Sequence, residues 1–177
     1  FLGFHNRLPI LTIMGGSLGA KKINEAVRSS IKALSAKYQI VHLCGKGNVD
    51  QSLLDVSGYK QFEYIHDELP DILAATDTVI TRGGSNAIFE FLALKIPMLI
   101  IPLSKAQSRG DQILNAKSFQ EKGYSKTLEE EELNAESLAM NLENLERNRA
   151  SFISAMGTSS QGNAIQMILE EIEKVKK

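Results

Sequence analysis

The chain has 177 residues, 43% of them apolar, enough for one full hydrophobic core and, at ordinary domain size, too little for two. Lys and Arg number 20 against 21 Asp and Glu, a net charge of −1, so no global field favours nucleic acid or an anionic membrane and any anion site has to be local. The single cysteine, Cys44, excludes an internal disulfide and fits a reducing compartment, and no apolar run approaches the roughly eighteen residues of a membrane span. The opening Phe1-Leu2-Gly3-Phe4 is too short and uncharged for a signal peptide, and a first residue other than Met leaves room for a longer parent protein.

Apolar runs and helical patterns alternate along the chain. Residues 9–14 (Pro-Ile-Leu-Thr-Ile-Met) are short, β-branched and stopped by Gly15-Gly16, as expected of a buried parallel strand. One helix is expected next, because Ile23, Val27, Ile31 and Leu34 recur at three- and four-residue steps. A second strand over 39–44 ends in Gly45-Lys46-Gly47-Asn48, a short helix spans about 50–56, and a third strand covers 61–65. A helix near 69–75 leads to a fourth strand, 78–81, closed by Gly83-Gly84, with Ser85 as N-cap of a helix running to about Leu94. The fifth strand, 98–101, lies between Pro97 and Pro102.

A helix over 110–122, a short last strand over 124–128 and helices over 133–145 and about 163–175 complete the pattern. The run of four glutamates at 129–132 sits at a helix start, where carboxylates oppose the macrodipole, and reads as a solvated face without chemistry. Strand and helix alternating at this spacing predict an α/β fold, a Rossmann-like doubly wound parallel sheet. Ligands of such sheets bind outside the carboxyl ends of the strands, where three glycine-rich turns fall here.

The first of these turns is Gly15-Gly16-Ser17-Leu18-Gly19-Ala20. Its glycines allow close backbone approach and the helix start behind it offers N–H groups to a phosphate; tight strand–helix packing is the alternative use of the same pattern. A dinucleotide fingerprint would need glycine where Met14 stands and an acid at the end of the second strand, which His42-Leu43-Cys44-Gly45 lacks, so nicotinamide binding is disfavoured. No P-loop and no nucleophile elbow occur.

In Arg82-Gly83-Gly84-Ser85-Asn86-Ala87-Ile88-Phe89-Glu90, Asn86 and Glu90 share one helix face while Ile88 and Leu92 share another. A carboxylate one turn in from a phosphate-binding helix start can accept two hydrogen bonds from a vicinal diol; a surface glutamate is the plainer reading. Arg82 would pair with a phosphate or with a neighbouring acid such as Asp77. Asp111 and Gln112, with Asn115, place mixed donors and acceptors near a helix start, as suits a sugar. His5 lies in the leading segment, His42 in an apolar strand as a packed core residue, and His66 in a loop, so no metal-ligand spacing is present.

Taken in order, Gly-Gly-Ser-Leu-Gly-Ala, Gly-Lys-Gly, Arg-Gly-Gly-Ser-Asn-Ala-Ile-Phe-Glu and Asp-Gln-Ile-Leu-Asn-Ala resemble the MurG family, over nearly the whole chain but only the carboxyl-terminal half of the family's length. That family adds N-acetylglucosamine to lipid-linked muramoyl-pentapeptide in peptidoglycan synthesis, with two Rossmann-like domains facing a cleft in the GT-B arrangement. The resemblance implies one half of a GT-B glycosyltransferase, with 1–8 as interdomain linker and 9–177 as the UDP-sugar-binding domain. By position, Gly16 and Ser17 would meet the pyrophosphate, the Ile65 backbone the uracil, and Ser85, Asn86 and Ala87 the α-phosphate. Glu90 would hold the ribose hydroxyls, and Gln112 beside Asp111 would read the sugar. Many members carry Gln where this chain has Leu18. The resemblance further implies UDP-N-acetylglucosamine as donor, lipid-linked muramoyl-pentapeptide as acceptor through a domain outside these residues, and no nucleic acid, cofactor or metal. The parent protein would lie peripherally on the cytoplasmic face of the membrane, with the general base in the other domain and these residues alone inactive. A non-catalytic nucleotide-sugar-binding module and a GT-B enzyme of other specificity are the rival readings.

Overall fold

The computed structural model of the chain describes residues 2–4, 7–16 and 19–159. Six strands, β1 (Ile10–Met14), β2 (Gln39–Leu43), β3 (Tyr59–Phe62), β4 (Thr78–Thr81), β5 (Met98–Ile100) and β6 (Ser125–Thr127), form one parallel sheet in the order β3-β2-β1-β4-β5-β6. The expected doubly wound sheet is therefore present, and its strand order reverses between β1 and β4.

Side-chain alternation divides the core in two. Leu11, Ile13, Ile40, Ile80 and Leu99 face a layer built from α1 (Lys21–Ser29), α2 (Ile31–Ser35) and α6 (Ala135–Arg147). Val79, Met98 and Ile100 face the opposite layer, with α3 (Leu69–Ala75), α4 (Ser85–Ala93), α5 (Asp111–Glu121) and α7 (Arg149–Gly157). Both faces of the central strands are buried, which is why these strands are continuous apolar runs.

Several boundaries differ from the sequence expectations for local physical reasons. The helix expected through Leu34 breaks at Ser30, where the Ser29 and Ser30 hydroxyls both donate to the Ala26 carbonyl, at 2.9 and 2.8 Å, crowding the acceptor that also takes the Ser30 N–H at 3.2 Å. The third strand is Tyr59–Phe62, earlier than expected, because the buried Tyr59 pairs beside Ile40 and sets the register, leaving Ile65 beyond the strand. The helix expected at 50–56 is a single 3₁₀ turn, Gln51–Leu53, capped by Asp50, whose carboxylate accepts from the Ser52 N–H at 3.0 Å.

Ser85 is the first residue of α4, and Gly84 occupies the cap position that Ser85 was expected to take. Asn134 begins α6 with a capping box: its side chain accepts from the N–H groups of Glu136 and Ser137, and Ser137 Oγ accepts from the Asn134 N–H at 2.9 Å. The glutamate run thus lies outside α6, in a separate 3₁₀ turn, Glu130–Glu132. Helix α7 has no counterpart among the expected elements, and the helix expected at 163–175 lies outside the described residues.

Candidate functional site

The carboxyl ends of the parallel strands collect the glycine turn after β1, the 45–48 loop after β2, residues 63–66 after β3, the 82–85 turn after β4 and the segment from 101 to the start of α5. The reversal between β1 and β4 opens the crevice where open α/β sheets bind ligands. Glycine is required in the first turn for two reasons. Gly16 and Gly19 have φ of +97° and +76°, and a Cβ on Gly19 would stand 2.0 Å from the Cys44 carbonyl oxygen. A Cβ on Gly15 would stand 2.6 Å from that of Ala20. Both uses of the turn, strand–helix packing and an open backbone, are therefore served by the same residues. Ser17 and Leu18 lie outside the described residues.

The neighbouring turn packs as closely. A Cβ on Gly83 would come within 2.5 Å of the Gln112 carbonyl oxygen, and Asn115 Nδ2 donates to the Gly83 carbonyl at 3.0 Å, so the start of α5 is seated on the β4–α4 turn. Gln112 Oε1 accepts from the Leu103 N–H at 3.1 Å, which fixes the half-buried side chain and leaves its NH₂ group as donor. Asp111 opens α5 and is exposed. Among the described residues, the N–H groups of Ser85, Asn86 and Ala87 have no acceptor; the first return bond of α4 is from the Ile88 N–H to the Gly84 carbonyl at 3.2 Å. No side chain caps this end. Three unpaired donors and the positive end of a nine-residue helix are what a phosphate needs.

Glu90 is exposed one turn further on, off the buried stripe of Ile88, Phe91 and Leu92, and no described residue pairs with its carboxylate. Ile65 is buried by its side chain against Val41, Leu43 and Ile72, while its N–H and carbonyl have no partner among the described residues, so a planar polar ligand could pair with that backbone. Tyr64 beside it is half exposed and meets His66 edge-on at 5.4 Å between ring centroids.

Arg82 pairs with an acid, though with Glu130 and not with Asp77. Sheet alternation sends its side chain into the α1 layer, where it is buried, forms an ion pair with Glu130, and donates to the carbonyls of Ile101 and Pro102 at 3.1 and 3.3 Å. Asp77 stands at the other end of β4, accepts from the Ile10 N–H at 2.8 Å and pairs with Arg149 at 3.3 Å. Four strand residues separate the two groups, and the guanidinium beneath the turn is neutralised from within the fold. Glu130, read from the sequence as solvated, is 2% exposed. Lys22, whose Nζ lies 3.3 Å from Glu130, and Glu130 itself are the charged residues the motifs did not reveal.

His42 is a core residue, as expected, and it is fully wired. Its Nδ1 lies 2.8 Å from the Tyr59 hydroxyl and its Nε2 lies 2.9 Å from Asn24 Oδ1, while Asn24 Nδ2 donates to the Cys44 carbonyl at 2.9 Å. The Asn24 orientation fixes the tautomer: Nε2 carries the proton and Nδ1 accepts from Tyr59. Burial, with a smaller push from Arg28, lowers the His42 pKa from 6.5 to about 3, and burial raises that of Tyr59 to about 12. The network ends on the carbonyl that packs against Gly19. Among the described residues, no three His, Cys, Asp or Glu side chains are grouped as a metal ion would require.

The family model of the glycosyltransferase family 28 C-terminal domain matches residues 10–172. The chain belongs to that family. It is 58% identical over 174 residues to a Bacillus cereus UDP-N-acetylglucosamine–N-acetylmuramyl-(pentapeptide) pyrophosphoryl-undecaprenol N-acetylglucosamine transferase, covering 98% of this chain and 49% of the relative. A Shouchella clausii transferase of the same description is 57% identical over 171 residues, covering 97% and 48%. The family 28 domain thus spans about half the length of the curated relatives it matches. Among solved structures, Acinetobacter baumannii MurG superposes with a TM-score of 0.74 at 24% identity over 98% of this chain and 52% of that one. The calicheamicin glycosyltransferase CalG4 superposes at 0.69 with 17% identity over 94% and 42%. These likenesses bear out the GT-B half-fold, and the family match bears out the resemblance read from the four motifs.

Proposed function

We propose that this family 28 domain is the donor-binding half of a transferase that moves N-acetylglucosamine from UDP-N-acetylglucosamine to a lipid-linked muramoyl-pentapeptide with inversion. Residues 1–8 are the linker to the other half and 9–177 the donor domain. The observation that carries the reading is the uncapped start of α4, three free N–H groups beside a glycine turn at the strand-order reversal, with Glu90 exposed one turn along. Relatives at 58% identity named for this donor and acceptor support the choice of sugar nucleotide.

In this reading the diphosphate lies between Gly16 with Ser17 and the N–H groups of Ser85, Asn86 and Ala87. The Ile65 backbone pairs with the uracil edge, Glu90 accepts both ribose hydroxyls, and the Gln112 amide, with Asp111, contacts the sugar. The acceptor 4-hydroxyl, deprotonated by a base from the other half, attacks the anomeric carbon, the bond to the diphosphate oxygen breaks, and UDP departs. Negative charge grows on that leaving oxygen, where the α4 dipole and its N–H groups are already oriented and need no reorganisation. The parent protein would work at the cytoplasmic face of the membrane, where its lipid-linked acceptor resides. Glycosyl transfer to a soluble acceptor analogue tests the division of labour. These 177 residues alone should transfer nothing, and a fusion to the amino-terminal half of the Bacillus cereus relative should transfer N-acetylglucosamine. Transfer by the chain alone at the fusion's rate would refute the assignment.

A further inference from the structure

Of four consecutive glutamates, three are exposed and one, Glu130, is buried with each carboxylate oxygen turned to a different cation. Oε2 pairs with Arg82, and Oε1 stands 3.3 Å from Lys22 Nζ. Arg82 immediately precedes Gly83-Gly84-Ser85, the turn that opens α4, and its guanidinium is also anchored on the carbonyls of Ile101 and Pro102 after β5. Lys22 lies in the first turn of α1, directly behind the glycine turn. One carboxylate therefore ties together the starts of α1 and α4, two helix ends that no side chain caps, at the reversal between β1 and β4.

A buried carboxylate is expensive to desolvate, and apolar residues of similar volume often stabilise a fold equally well, so stability alone does not account for this arrangement. We infer that Glu130 is a positioning residue for the diphosphate site. By pairing with both Arg82 and Lys22, it fixes the gap between the start of α1 and the start of α4. The inference rests on the donor-binding reading above. A purely electrostatic role has the opposite sign, because removing Glu130 leaves two cations near the site and should strengthen anion binding. Loss of the clamp instead separates the two sets of N–H groups, and only the diphosphate spans them.

The test is titration of the 177-residue chain with UDP and with uridine, followed by NMR. Glu130→Ala should weaken UDP about tenfold or more, equivalent to about 1.4 kcal/mol, and leave uridine within about twofold. Glu130→Gln keeps an acceptor oxygen for Arg82 and should recover most of that loss, to about threefold below wild type. Lys22→Met, at a half-exposed position, removes one arm of the clamp without burying a new charge and should weaken UDP alone by about threefold. Variants that bind UDP as tightly as wild type or more tightly, or that lose UDP and uridine equally, would overturn the clamp. If Glu130→Ala fails to fold, Lys22→Met and Glu130→Gln decide by the same criteria. A wild-type chain that binds no UDP would overturn the donor-site reading and this inference with it, whereas unaltered variants of a UDP-binding wild type overturn this inference alone.

Discussion

Acid should loosen this domain through His42, beginning below about pH 6.5. The imidazole is fully buried, its Nδ1 accepts from Tyr59, and a second proton there would force the Tyr59 hydroxyl to turn from donor to acceptor and leave a charge in the core. With a pKa of about 3 in the folded chain and 6.5 when exposed, His42 binds fewer protons folded than unfolded between those values. Stability is then constant above about pH 6.5 and falls as the pH drops toward 3, by up to about 1.4 kcal/mol per pH unit. The full span amounts to about 4–5 kcal/mol, a large part of the 5–15 kcal/mol that holds a typical domain together. Urea unfolding followed by circular dichroism at pH 7, 6, 5 and 4 measures the slope. His42→Gln, which can still donate to Asn24 and accept from Tyr59, cannot titrate, so its stability should be nearly flat from pH 6.5 to 4.5. Equal slopes for the two proteins, or a wild-type stability unchanged between pH 7 and 4.5, would refute the argument.

Glu90→Ala should weaken UDP by about tenfold or more, the loss expected for charge-assisted hydrogen bonds to two hydroxyls, and leave the melting temperature of the ligand-free domain unchanged because Glu90 is exposed and its carboxylate pairs with no described residue; calorimetry and thermal denaturation check the two halves of this statement. Gln112→Ala should weaken UDP-N-acetylglucosamine relative to UDP, and an equal effect on both ligands would contradict a sugar contact. Gly83→Ala should push the start of α5 away from the β4–α4 turn, since the new methyl would meet the Gln112 carbonyl oxygen at 2.5 Å, and is expected to lower stability by about 1–3 kcal/mol in urea titrations.

Short apolar runs stopped by glycine were enough to place β1, β2, β4 and β5, because strands buried on both faces have no polar side to disguise them. The edge strand β3 was shifted in the sequence reading because Tyr-Lys-Gln-Phe carries an exposed Lys60 and shows no apolar run, its register depending on the contact of Tyr59 with His42. Helix α7 escaped because its apolar residues form no single stripe. Glycines 15, 19 and 83 were recognised as turn residues, but what each packs against, Ala20, Cys44 and Gln112, is tertiary information. The same holds for charge. Nothing in four consecutive glutamates marks Glu130 as the buried one, and the pairing of Arg82 follows from alternation across β4 and from the tertiary placement of the 130–132 turn. Asn24 gave a fainter signal, as a polar residue within the buried stripe of α1.

The central claim is that this sheet edge holds a uridine diphosphate sugar, and calorimetric titration of the 177-residue chain with UDP-N-acetylglucosamine, UDP, NAD and ATP tests it most directly. The account predicts measurable binding of both uridine nucleotides and at least about tenfold weaker binding of NAD and ATP, since the glycine turn lacks the dinucleotide pattern and no P-loop is present. Binding of NAD or ATP as tight as that of UDP-N-acetylglucosamine would contradict it.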